Sequence, residues 1–271
     1  MTDTAPIPPA LQPATLITGA SAGIGWALAK VFARDGDQLV LVARRVERLA
    51  ALADEIAARG HPRPHVIGLD LQASDAVAVL KSKLRELGVE PAIVINNAGF
   101  GLVGEAAALD TAEQLAMIDL NVRTLTALSL AFVDSLERHR GGLLNVASVA
   151  AYLPGPRMAV YYASKAFVLS FTESLYRELK PRGIRVTALC PGPVPTEFQE
   201  RAGFRGEGSA TILERTAEQV AEAGYLGLMA GQRVVVPGWM NWLVTTIVRL
   251  APRNFLMSGV ERHNRGVEAG R

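Results

Sequence analysis

The chain has one cysteine, Cys190, among 271 residues, so no intramolecular disulfide can staple it and a reducing cytoplasm is the expected compartment. Aromatic residues are also sparse, at 6%, and no Lys/Arg run interleaves with them. Charges of both signs are interspersed and sum to +2, a pattern that excludes a nucleic-acid surface. Histidines stand only at 61, 65, 139 and 263, and prolines within His61-Pro62-Arg63-Pro64-His65 keep the nearest pair off a shared helical face. No metal site is expected. Residues 1–13 are proline-rich and lack the charged start and apolar run of a secretory signal, so they are expected to form a flexible tail.

What is present is apolar material for a core. Hydrophobic residues make up 49% of the chain and charged ones 20%, which excludes a disordered acidic or basic protein. No Pro/Ser/Gly-rich linker divides the middle, and the length suits one large α/β domain over 1–271, with 237–271 as a carboxyl-terminal extension.

Short, mainly apolar runs at 14–18, 38–43, 66–69, 92–95, 143–147, 184–189 and 234–236 alternate with stretches of helical spacing. The helices are expected near 24–34, 45–58, 74–87, 110–138, 158–180 and 211–229, with Ser74 and Asp110 as caps. Strands apolar throughout, alternating with amphipathic helices, require a parallel sheet covered on both faces with right-handed crossovers. The expected fold is a doubly wound α/β sheet of seven strands. In such sheets ligands bind beyond the carboxyl ends of the strands, where Thr18, Asp70, Asn96, Ala147 and Pro191 fall.

The chemistry-bearing residues cluster at those ends. Thr18-Gly19-Ala20-Ser21-Ala22-Gly23-Ile24-Gly25 follows the first strand and opens the first helix, so a pyrophosphate can approach its backbone at the positive helix end. Its glycine spacing differs from G-x-G-x-x-G. Tyr161 and Lys165 stand four apart in Tyr161-Tyr162-Ala163-Ser164-Lys165 and share one helical face, whereas Tyr162 points to another sector. Ser148 lies upstream at the end of the fifth strand, so a phenol, an ammonium and a hydroxyl are available to protonate a carbonyl oxygen.

Taken together, the glycine loop, Asn96-Asn97-Ala98-Gly99, Asn121, Ser148, Tyr161, Lys165 and Pro191-Gly192 resemble the classical short-chain dehydrogenase/reductase family in order and spacing over residues 14 to 200. The resemblance implies a Rossmann-like domain that uses a nicotinamide cofactor. It makes Tyr161 the general acid/base, Ser148 the hydrogen-bond donor to the substrate oxygen, Lys165 a ribose ligand that acidifies the phenol, and Asn121 the holder of a proton-relay water. It also assigns Gly19, Ser21, Ala22, Gly23, Ile24, Gly25, Leu71, Asn97, Ala98, Gly99, Pro191, Gly192, Val194 and Thr196 to the cofactor, and Asp70 to its adenine amino group. An ammonium and an oxidised nicotinamide ring beside a phenol are expected to bring its pKa down from about 10 toward working pH.

The second strand ends in Ala43, not in the carboxylate that would receive an adenosine ribose hydroxyl, and Arg44 and Arg45 follow. Cations at a helix start oppose its dipole but suit a phosphate dianion, so NADP(H) is expected, with Arg44 as its main contact. Position 22, where some family members place a second cation, is alanine. The expected function is reversible reduction of a lipophilic ketone or aldehyde to an alcohol. The alternatives are a β-ketoacyl-thioester reductase, for which no acyl-carrier surface is legible, and a non-catalytic NADP-binding or redox-sensing protein, which has no need of Ser148, Tyr161 and Lys165 together. A homodimer or homotetramer built on helices 111–138 and 158–180 is implied by the family.

Beyond the seventh strand, Trp239, Trp242, Leu243, Thr246, Ile247 and Leu250 share a helical stripe. It is too short to span a membrane, which takes about 20 apolar residues. The expectation is that the flap at Phe198, Gly203, Phe204, Gly206 and Gly208 or a second subunit covers it. A peripheral membrane contact, for which Arg249 and Arg253 would serve, is the less favoured alternative.

Overall fold

The computed structural model describes residues 11–204, 213–248 and 252–269. Seven parallel strands form one sheet: β1 (Gln12–Thr18), β2 (Leu39–Ala43), β3 (His65–Gly68), β4 (Val89–Asn96), β5 (Gly142–Val146), β6 (Arg185–Leu189) and β7 (Val234–Val235), in the order β3-β2-β1-β4-β5-β6-β7. Because strand side chains alternate, Leu16 and Ile17 of β1 enter opposite cores, and each face needs its own helices. On the Ile17 side, Leu39, Leu41, Leu144 and Leu189 meet α1 (Gly23–Ala33), α2 (Val46–Ala58) and α9 (Ala217–Met229). On the Leu16 side, Val40, Val94, Leu143 and Val186 meet α3 (Ala76–Glu86), α5 (Leu125–Ala131), α6 (Val133–Arg138) and α7 (Ala159–Leu179). Each fully buried Leu or Ile in these layers contributes roughly 1.5–3 kcal/mol. The doubly wound reading is therefore met in strand number, direction and layering.

Four local expectations are corrected. The expected tail through residue 13 is too long, because Gln12 and Pro13 pair with Val89 and Glu90 in the sheet. The expected helix 110–138 is not continuous: α4 (Thr111–Ile118) runs into a π-helical turn (Asp119–Thr124) and α5, and Phe132 breaks the chain at φ −117° before α6. The helix placed at 211–229 begins at Ala217, where Thr216 and Gln219 form a reciprocal capping box; Thr211 and Ile212 lie outside the described residues. Asp75, not Ser74, precedes α3.

The carboxyl-terminal stripe is largely exposed in the single chain. In α10 (Trp239–Ile247) the buried positions are the polar Asn241 and Thr245, while Trp239 and Trp242 are 65% and 58% exposed. These side chains are left exposed by the described part of the flap; Arg249 and Leu250 lie outside the described residues. A last helix, α11 (Arg253–Ala269), which the sequence pattern did not reveal, returns to the sheet's carboxyl edge. There Asn264 Nδ2 donates to the Pro156 carbonyl at 2.8 Å, and Arg157 pairs with Glu268 and, at 2.7 Å, with Glu105. No helix among the described residues is long and apolar enough to cross a membrane.

Candidate active site

Beyond the carboxyl ends of β1 to β6 lies one cleft of about 1120 Å³. Its floor is set by the switch point, where β1 neighbours both β2 and β4. Thr18, at the end of β1, donates its hydroxyl to the Ile95 carbonyl and accepts the amides of Asn97 and Ala98 at 3.0 and 3.2 Å. Asn97 returns the tie by donating Nδ2 to the Thr18 and Gly19 carbonyls at 3.0 and 3.1 Å. The glycine loop is thereby pinned to the end of β4. Gly19 sits at φ +66°, and a Cβ on Gly25 would fall 2.4 Å from both Asn97 Nδ2 and the Gly19 carbonyl, so both positions demand glycine.

Tyr161, Lys165 and Ser148 meet at the centre of the cleft. Ser148 caps a 3₁₀ turn by accepting the Ala150 amide at 3.1 Å, donates to the Pro191 carbonyl at 3.5 Å, and is the polar neighbour that lowers the Tyr161 phenol. Lys165 is 6% exposed; its Nζ donates to the Val146 carbonyl at 2.8 Å and lies 5.9 Å from the Tyr161 ring centre. Burial pushes the Tyr161 phenol up to about 12, against a smaller lowering by Ser148, and depresses the Lys165 ammonium to about 8. The phenol thus moves opposite to the expected direction, because desolvation outweighs the lowering by Ser148. Cys190, beneath them, is buried and its thiol is likewise raised to about 12, chiefly by burial.

Asn121 projects from the π-helical turn, where the widened backbone re-aims a side chain inward. Its Nδ2 donates to the Phe100 carbonyl and Ser164 Oγ at 2.9 and 3.1 Å, and its Oδ1 accepts the Phe100 amide at 3.1 Å. Both donor hydrogens are therefore used within the protein. A deeper network links Asn96 to Ser129 and Asn145, and Asn145 to Thr172.

The remaining predicted residues line the same cleft: Ser21, Ala22, Gly23, Ile24, Arg44, Asp70, Leu71, Ala98, Gly99, Pro191, Gly192, Val194 and Thr196. Asp70 Oδ1 accepts the Gln72 amide at 3.0 Å and so also shapes its own turn. Thr196 caps α8 (Glu197–Ala202) through the Phe198 amide, and its methyl would lie 3.0 Å from a Cβ on Gly23, so α8 rests on the glycine loop. Gly206 and Gly208 of the proposed flap lie outside the described residues.

Sequence reasoning missed Glu197, Arg201, His263 and Asn264, all of which line the cleft. Nothing local in the sequence announces Asn264, because its place depends on α11 folding back. There it is 2% exposed and hydrogen-bonds Tyr162. Arg45 was visible beside Arg44, and the structure places it on Ser21, with Nε and Nη2 at 3.3 and 3.2 Å from Oγ.

These residues fit a phosphorylated dinucleotide. The loop before α1 admits no extra side-chain atom at Gly25, the first turn of α1 has no acidic residue, and Arg44 and Arg201 line the cleft without an ion-pair partner among the described residues. No group of three or more His, Cys, Asp or Glu side chains able to hold a metal occurs among the described residues.

Comparison with known proteins agrees with this geometry. A family model described as short chain dehydrogenase matches residues 13–204. Sulfoacetaldehyde reductase 2 of Chromohalobacter salexigens is 38% identical over 215 residues, covering 76% of this chain and 84% of that protein. A short-chain dehydrogenase from Sphingobium yanoikuyae in complex with NADPH is 33% identical, with a TM-score of 0.77 over 88% of this chain and 93% of that one. A short chain dehydrogenase/reductase from Burkholderia phymatum in complex with NAD is 25% identical, with a TM-score of 0.76 over 89% and 93%.

Proposed function

This chain belongs to the short-chain dehydrogenase family and is an oxidoreductase acting on an alcohol or carbonyl group; from that premise we propose that it uses NADP(H) to interconvert a lipophilic ketone or aldehyde and its alcohol. The observation that carries the proposal is the convergence of Tyr161, Ser148 and the buried Lys165 on one cleft, with Lys165 Nζ 5.9 Å from the Tyr161 ring centre. NADP(H), bound on the glycine loop, supplies or accepts the hydride.

The protein's own groups do the rest. Ser148 Oγ accepts the Ala150 amide and spends its proton only on a long, 3.5 Å bond to the Pro191 carbonyl, which it can exchange for the substrate oxygen. Tyr161 gives its phenolic proton to that same oxygen in reduction and takes it back in oxidation. Lys165, tethered to the Val146 carbonyl, places a positive charge that stabilises the phenolate left behind, and it would hold the ribose of a bound nicotinamide cofactor. Asn121 braces Phe100 and Ser164, and the family's relay water is assigned to its neighbourhood.

Selection of NADP(H) over NAD(H) is supported by the absence of a carboxylate at the end of β2 and by Arg44 and Arg45 in its place. A lipophilic substrate is supported by Leu153, Met158, Phe198 and Phe204, which line the cleft around Tyr161. The reading treats residues 1–271 as one cytoplasmic cofactor-binding domain whose extension from 237 completes the substrate side. Exposed Leu115, Ile118, Leu130 and Phe167 on α4, α5 and α7 favour self-association into a dimer or tetramer.

The test is NADPH oxidation measured across a panel of ketones and aldehydes. Tyr161→Phe is expected to abolish turnover with cofactor binding retained, and Tyr162→Phe to keep most activity. A fully active Tyr161→Phe enzyme would overturn the mechanism.

A further inference from the structure

The first residue of α8 reaches across the cofactor cleft. Glu197 Oε2 accepts from Arg45 Nη1 at 2.6 Å, and its Oε1 accepts from Arg48 Nη1, so one carboxylate holds two guanidiniums on the far wall. Arg45 is the same residue whose Nε and Nη2 lie on Ser21 of the glycine loop. Glycine loop, start of α2 and substrate-side helix therefore converge on one guanidinium. The two cations hold the Glu197 carboxyl below its ordinary range, with the hydrogen bond from Arg45 the largest cause.

This point is also where a phosphate on the adenosine ribose is expected, beside the residues that replace the missing carboxylate of β2. A carboxylate carries one charge and a phosphate up to two, with three acceptor oxygens that suit the arginine fork better. The Glu197 side chain is 41% exposed, so its ion pairs are of the weak, exchangeable kind.

We propose that Glu197 is an intramolecular stand-in for the cofactor's 2′-phosphate: it engages Arg45 and Arg48, yields Arg45 to an incoming phosphate, and so lowers the protein's discrimination between NADP(H) and NAD(H). The inference rests on the NADP(H) reading above. It makes Glu197 a positioning residue that acts through Arg45. An incoming phosphate must displace a carboxylate already seated on its cation, whereas a cofactor without that phosphate leaves the pair undisturbed. The placement of α8 does not depend on Glu197 alone, since Arg201 lies 4.3 Å over the Phe100 ring and the Ala202 carbonyl accepts the Val103 amide at 2.8 Å.

The experiment is equilibrium binding of NADPH and of NADH, followed by cofactor fluorescence, to the wild type and to Glu197→Gln, Glu197→Asp and Arg45→Ala. Removing a weak competing ion pair should tighten NADPH by about three- to tenfold in Glu197→Gln and change NADH by less than about twofold. Glu197→Asp, which keeps the charge, should stay near the wild-type NADPH/NADH ratio, an outcome that a merely structural role would not produce. If Arg45→Ala weakens NADPH selectively but Glu197→Gln leaves NADPH unchanged or weaker, this inference is overturned while the NADP(H) reading stands. If the wild type does not favour NADPH and Arg45→Ala affects both cofactors equally, the NADP(H) reading fails and takes the inference with it.

Discussion

Replacing Lys165 by methionine should stop turnover yet relieve a strain that grows as the pH falls. Lys165 is 6% exposed, and burial depresses its ammonium from an ordinary 10.5 to about 8. At about 1.4 kcal/mol per pKa unit, holding Nζ charged costs the folded state about 3 kcal/mol at pH 7. The sign follows from proton counting. Between the folded value of about 8 and the unfolded 10.5 the unfolded chain binds more protons, so stability rises with pH across that window and the full cost is felt below it. Methionine removes the charge but leaves the Val146 carbonyl, which Nζ reaches at 2.8 Å, without its donor. That loss returns about 1–3 kcal/mol and does not depend on pH. The informative quantity is therefore the stability difference between wild type and Lys165→Met, measured by urea unfolding at a series of pH values. The wild type should gain on the variant by about 2 kcal/mol between pH 7 and 9.5. A difference that stays flat over that range would show that Lys165 is not held against desolvation.

Arg44→Ala should weaken NADPH far more than NADH, by about 1–3 kcal/mol for a charge-assisted contact, measured by fluorescence titration; equal losses would refute that contact. Because Ser148 lowers the pKa of Tyr161 within a cleft that raises it, Ser148→Ala should carry the limb on which alcohol oxidation rises with pH to higher pH, beyond lowering its rate; an unmoved limb argues that Ser148 does not tune the phenol. A Cβ on Gly155 would fall 2.1 Å from the Tyr162 ring. Gly155→Ala should therefore push Tyr162 off Asn264 and destabilise the protein by about 1–3 kcal/mol in thermal unfolding, with a change in substrate KM; an unaltered melting curve would refute the contact.

The sheet and the central site were legible in the sequence because both are written locally. Apolar runs such as Leu39–Ala43 announce buried parallel strands, and the spacing of Tyr161 from Lys165 needs only a helix to become a shared face. The glycine loop is readable for the same reason, since strand, turn and helix follow one another directly. What stayed hidden depends on distant segments. Glu197 is an ordinary surface glutamate until the fold brings it to Arg45, and Asn264 gains its place only when α11 returns to Pro156. The π-helical turn that aims Asn121 inward leaves no sign in hydrophobic spacing, so 110–138 reads as one helix. For the stripe beginning at Trp239, periodicity tells which residues share a face but not what that face meets, and within the single chain the buried face is the one carrying Asn241 and Thr245.

The pinning of the glycine loop by Thr18, Asn97 and Ala98 has a consequence for how the protein comes into being. Those groups are 79 and 80 residues apart along the chain, and β1 pairs with β4 only after β2, β3 and their helices have been looped out between them. Closing such a loop is slow compared with forming a helix, and the cofactor loop has no fixed shape until it closes. During synthesis, therefore, the amino-terminal strand must wait for β4 to emerge before any affinity for a dinucleotide exists. Cofactor binding then reports that the most distant pairing of the nucleotide half has been made.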